Sequence, residues 1–211
     1  EDRLNAPNRP IVTGELAHRP ALLLSAGLIF LMAVITWLLN PWALIPLVAG
    51  VLLNIVYEYA KGFSLFGNLV FGISITMCAV YGFIAMGPLP DPIFTSNRTS
   101  ALLILVLLNG LMTYYTYFKD VYGDKQAGKQ TFVVRYGIET ARYVGAAAAL
   151  LPPAALLICM GMNWLPIEDI LYMDEFVFCG IVTMFLLAWT AWLFFVHPTG
   201  ERTYFALVTN I

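Results

Sequence analysis

The chain has 211 residues, of which 60% are hydrophobic and only 11% charged, and its mean hydropathy is +0.79; an ordinary soluble domain carries about 25% charged residues. Such a chain cannot cover itself with polar surface in water, so lipid is its expected solvent. The formal net charge of −2 leaves no basic excess for a nucleic-acid footprint.

From the amino terminus, Asp2-Arg-Leu-Asn5-Ala-Pro-Asn8-Arg9-Pro10-Ile-Val-Thr-Gly14 reads by itself as a basic, proline-broken loop. Apolar runs of about 20 residues follow, the length one helix needs to cross about 30 Å of hydrocarbon. They lie at Ala21–Leu39, Trp42–Ala60, Asn68–Met86, Thr99–Phe118, Ala141–Met160 and Phe176–Phe195, and a further run opens at Tyr204. All are predicted helices, because hydrocarbon offers no partner to unpaired backbone groups. The expected fold class is an all-α integral membrane bundle. Pro152 and Pro153 should kink the fifth span. Trp37, Trp42, Trp164 and Tyr172 fall at span ends, as interfacial aromatics do. The chain starts without methionine and stops inside an apolar run, so we read 1–211 as one transmembrane domain with further helices expected beyond both ends.

Charge alternates between the connecting loops. One side receives Arg3, Arg9, Arg19, Lys61, Lys119, Lys125, Lys129, Arg135, Arg142 and Arg202, ten of the eleven basic residues, and the other receives Arg98 alone. By the positive-inside rule the first side is cytoplasmic. Asn97-Arg98-Thr99 on the opposite side has the form of a glycosylation sequon. Cys78, Cys159 and Cys179 lack the close spacing of metal or redox motifs and read as small apolar residues.

Chemistry concentrates at the basic side. The stretch Tyr117-Phe-Lys-Asp120-Val-Tyr-Gly-Asp124-Lys125-Gln-Ala-Gly128-Lys-Gln-Thr131 leaves the fourth span and enters the longest basic loop. Carboxylates four residues apart share one helix face, or one side of a turn, and can hold a divalent cation together. Mg²⁺ is usually bound by one or two carboxylates plus substrate phosphate oxygens, so the pair suits a diphosphate ligand, with Lys119, Lys125 and Lys129 supplying positive charge. Taken as charges alone, the lysines could equally do no more than set topology. At the end of the second span, Asn54, Tyr57, Glu58 and Lys61 recur at spacings of three and four and so share a face. Ionisable groups this close to the bilayer point to function, with Lys61 placed to meet an anion; simple snorkelling beside Glu58 is the alternative.

The order of these segments resembles the UbiA superfamily of intramembrane prenyltransferases. Asp2-x-x-Asn-x-Pro-x-Arg-Pro-Ile with the following Thr-Gly is similar to the close of that family's first aspartate-rich motif. Tyr57-x-x-x-Lys61 followed by Gly67-Asn68 is similar to its next landmark, and Asp120-x-x-Gly-Asp124-x-x-x-Gly128-x-x-Thr131 to its second aspartate-rich motif. Many members carry an additional aspartate where this chain has Tyr117. The resemblance implies a bundle of nine helices around a cavity in which a prenyl diphosphate is held through Mg²⁺. It implies Asp2, Asp120 and Asp124 as metal ligands, and Asp120, Asp124, Lys61 and Tyr57 as catalytic groups. Arg9, Asn54, Asn68, Lys119, Lys125, Tyr114 and Tyr117 would contact substrate, with the faces of Tyr57, Tyr114 and Tyr117 available to an allylic cation. The implied reaction ionises an allylic diphosphate and passes the prenyl group to an aromatic, pigment or lipid acceptor. A terpene cyclase on the same fold is an alternative. A transporter is a further one, although its usual mid-span ionisable residues are nearly absent.

Overall fold

The computed structural model describes residues 7–87, 92–165 and 173–197, the side chains of 173–177 excepted. Within them every regular element is helical. After a single turn at Pro10–Thr13, stopped by Gly14 at φ 83°, the chain forms α1 (His18–Leu39), a 3₁₀ turn (Pro41–Ala43), α2 (Leu44–Ala60), α3 (Phe66–Ala85), α4 (Ser96–Gln126), α5 (Phe132–Ala148), α6 (Leu151–Gly161) and α7 (Met173–Val196). By length and composition, six stretches are fit to cross a membrane among the described residues, with α5 and α6 together making one of them. The apolar run at Tyr204 lies outside the described residues, as do Asp2, Tyr172 and Arg202.

Two differences from the sequence reading matter. The fourth span does not end at Phe118: α4 continues unbroken to Gln126 over 31 residues. At 1.5 Å per residue that is about 46 Å, well beyond the roughly 30 Å of hydrocarbon. Asp120 and Asp124 therefore ride on a rigid helix rather than in a loop. Pro152 and Pro153, for their part, do not kink a continuous helix. They occupy the first turn of α6, where a missing N–H has no helical acceptor to lose. A second interruption falls at Gly137, whose φ of 80° and ψ of 160° lie outside helical space.

Small residues set how closely the helices approach, as expected where lipid supplies no hydrophobic drive between them. A Cβ on Gly72 would lie 2.4 Å from the Val106 carbonyl oxygen, so α3 crosses α4 backbone to backbone. Gly110 meets the Asn68 carbonyl in the same crossing, and Gly67 closes the α2–α3 turn onto Ala60 and Lys61. Polar groups secure the other junctions. Asn40 Nδ2 donates to the Ile84 and Gly87 carbonyls at 2.8 and 2.9 Å while its Oδ1 accepts from the Trp42 amide, pinning the α1–α2 turn to the end of α3. Tyr114 and Tyr115 donate to the Ala141 and Gly145 carbonyls of α5 at 2.7 and 2.8 Å. Phe194 of α7 stacks on Tyr115 with 4.3 Å between ring centroids and completes the core of α4, α5 and α7.

Candidate active site

The last turn of α2 and the last turns of α4 meet at one end of the bundle. Lys61 caps α2, its amide N–H donating to the Tyr57 carbonyl at 2.8 Å. Its ammonium lies 3.1 Å from Asp124 Oδ1, with the two side chains 10% and 0% exposed. The same ammonium stands 5.7 Å from the centroid of the Tyr117 ring. Asp120, one turn before Asp124 on α4, is half-buried, whereas Tyr117 is enclosed. Tyr57 stacks obliquely on Phe71 at 5.0 Å and lies within reach of the charges of Lys61 and Asp124.

The loops around this pair hold each other in place. Gly128, at φ 72°, ends α4 and lets the Lys129 amide return to the Asp124 carbonyl at 2.9 Å. Gln130 then accepts from the Ser64 amide at 3.2 Å, joining the α4–α5 loop to the α2–α3 loop. Ser64 adopts φ 54° to make that contact, a conformation of low population for a non-glycine residue and one that concentrates at functional sites. Lys129 reaches Glu58 at 4.0 Å. Thr131 is fully enclosed, and its hydroxyl has no hydrogen-bond partner.

Of the residues singled out from sequence, the structure thus gathers Tyr57, Lys61, Tyr117 and Asp124, with Asp120 on the adjoining turn. Others go elsewhere. Asn54 lines a cavity of about 440 Å³ between α1, α2 and α3, with Ser74 and Tyr81. Asn68 sits in the α3–α4 crossing, its Nδ2 donating weakly to the Gly110 carbonyl at 3.4 Å. Tyr114 spends its hydroxyl on α5, and both residues line a different, apolar cavity of about 390 Å³. Lys119, Lys125 and Arg9 are exposed. The Ser64–Gln130 link and the Phe71 contact had no sequence signal, since each depends on how two turns dock.

The donor set suits a divalent cation. Two carboxylates four residues apart on one face, one of them enclosed and already balanced by a cationic group, can supply the one or two protein ligands that Mg²⁺ takes when phosphate oxygens supply others. Asp120 and Asp124 would hold it. No group of three or more metal-ligating side chains occurs among the described residues.

One end of this all-helical bundle thus brings together an enclosed lysine–aspartate pair, a second carboxylate one turn away and two tyrosines. The UbiA prenyltransferase family matches residues 1–208, and the chain belongs to that family. Three curated relatives carry the name digeranylgeranylglyceryl phosphate synthase. That of Thermococcus kodakarensis is 29% identical over 73% of this chain and 54% of its own length. That of Thermococcus sibiricus is 29% identical over 79% and 59%, and that of Sulfurisphaera tokodaii 30% identical over 82% and 62%. The chain thus spans somewhat more than half the length of these relatives. No solved structure matches it.

Proposed function

We propose that the protein transfers a prenyl group from an allylic prenyl diphosphate to a lipidic acceptor at the membrane surface, and that the acceptor is a prenylated glycerol phosphate. The observation that carries the reaction class is the enclosed Lys61–Asp124 pair beside Tyr117; the acceptor follows the name shared by the relatives. A divalent cation, Mg²⁺, held by Asp120 and Asp124 would supply positive charge to the departing diphosphate. Lys61, a compact point charge, adds to that charge where it develops. The face of Tyr117 already carries an ammonium and so suits an allylic cation. Tyr57, which is close to Tyr117, Lys61 and Asp124, offers a second ring. Apolar cavities of about 390 and 430 Å³ flank the membrane-embedded part of α4, a size that accommodates the apolar part of a small ligand. The test is product analysis by mass spectrometry with geranylgeranyl diphosphate plus Mg²⁺, given geranylgeranylglyceryl phosphate, 4-hydroxybenzoate or no acceptor. A doubly prenylated glycerol phosphate is expected in the first case only. An aromatic product would overturn the acceptor, and a cyclised hydrocarbon without acceptor would overturn the transfer.

The distribution of basic residues supports a cytoplasmic position for the site end of the bundle. In a background lacking the native cysteines, a cysteine at the exposed Gln126 should react with a membrane-impermeant thiol reagent only from the cytoplasm. One at the exposed Ser96, at the far end of α4, should react only from outside. The reverse pattern would invert the orientation while leaving the reaction untouched. The loop Pro88–Asp91, the more obvious outer position, lies outside the described residues.

A further inference from the structure

We propose that the Lys61 ammonium occupies Asp124 until a diphosphate draws it away, so that divalent cation and diphosphate each strengthen the other's hold on the site. This rests on the function proposed above. The ammonium is 3.1 Å from Asp124 Oδ1, and both side chains are enclosed. Water screens such a pair poorly, so the carboxylate's charge is already largely matched. A divalent cation on the same carboxylate would face the ammonium at close range, and like charges at that distance disfavour each other. Ammonium and cation therefore compete for Asp124.

Lys61 is held in place at the base of its side chain, which is only 10% exposed. Its backbone is fixed by the hydrogen bond to Tyr57, and the place a Cβ of Gly67 would take is only 2.9 Å from Lys61 Cα. The Tyr117 ring gives the ammonium a second favourable contact in its present position. A diphosphate can shift it, because it offers several charged oxygens to the same donor and strong charge-assisted hydrogen bonds in place of the one given up. Asp124 then becomes available to a cation that the diphosphate also ligates. Asp120, half-buried and one turn earlier on α4, would by itself hold the cation more weakly. The two ligands are thus positively coupled, each raising the other's affinity by the same factor.

Mn²⁺ binding followed by electron paramagnetic resonance tests this in the purified protein in nanodiscs, with and without an unreactive prenyl thiolodiphosphate. The analogue should tighten Mn²⁺ binding by about tenfold or more, within the usual range of coupling between sites. Lys61→Met should tighten binding by a similar factor without the analogue. Asp124→Asn should leave analogue-free binding within about twofold and weaken analogue-bound binding about tenfold. Lys61→Met removes the charge facing a buried carboxylate; should it not fold, the nearly isosteric Asp124→Asn decides alone. Analogue-free affinity unchanged or weaker in Lys61→Met, or about tenfold weaker in Asp124→Asn, overturns the competition. Wild-type protein that binds no Mn²⁺ even with the analogue overturns the metal-assisted reaction itself.

Discussion

Asp120→Ala is expected to lower turnover by at least about a hundredfold, equivalent to roughly 2.7 kcal/mol of transition-state stabilisation, while the folded yield stays near wild type. Asp120 is half-buried, so its removal should disturb the fold less than removal of the enclosed Asp124. Asp124→Ala should cost at least as much in rate, but for two reasons at once. It would remove a proposed metal ligand, and it breaks the enclosed pair with Lys61, whose side chain is only 10% exposed; breaking a buried pair costs about 3–5 kcal/mol of stability. The folded fraction must therefore be measured beside the rate, and Asp124→Asn, which keeps the shape, separates the two effects. If both alanine variants kept more than about a tenth of wild-type turnover, a loss under roughly 1.4 kcal/mol, the metal-ligand roles would be wrong.

A large effect on stability, with no change at the site itself, is expected at Gly72. A methyl there would stand 2.4 Å from the Val106 carbonyl oxygen and 3.2 Å from the Gly110 nitrogen, both backbone atoms that cannot rotate aside. Gly72→Ala must push α3 from α4, at about 3 kcal/mol, the upper end of ordinary overpacking. Gly82 on the same helix is the control, since nothing lies within 4 Å of the added Cβ. There alanine should be neutral or stabilise by up to about 1 kcal/mol through helix propensity alone. Thermal unfolding in detergent checks the pair, and melting temperatures that fall together would show that the crossing is looser than the geometry says.

The spans were legible because membrane crossing is a matter of length and apolarity, both properties of a single segment. The end of α4 was not. Polarity begins at Lys119, which suggested a loop, but the chain contains no residue able to stop a helix until Gly128, and Gly123 is tolerated in the helix interior. The carboxylate spacing and the face carrying Tyr57 and Lys61 were readable from helical periodicity, and these residues do meet. Periodicity does not reveal which neighbour a face turns toward. Asn54 shares the Lys61 face yet lines the cavity beside α1, because α2 passes from one neighbour to another along its length. Tyr114 and Tyr117 lie three apart, but the intervening rotation sends one hydroxyl to α5 and leaves the other ring under Lys61.

The unbroken run of α4 gives the site a mechanical character. From the Val106 crossing to Asp124 the helix rises about 27 Å, so a tilt of about 5° about that crossing carries the carboxylate through about 2 Å. Gly72 is the fulcrum of this lever, and the Lys61–Asp124 and Ser64–Gln130 links fasten its free end. A change in bilayer thickness that tilts the helix would therefore be magnified at its charged tip. Lipids that tilt α4 should alter the rate without touching a single residue of the proposed site.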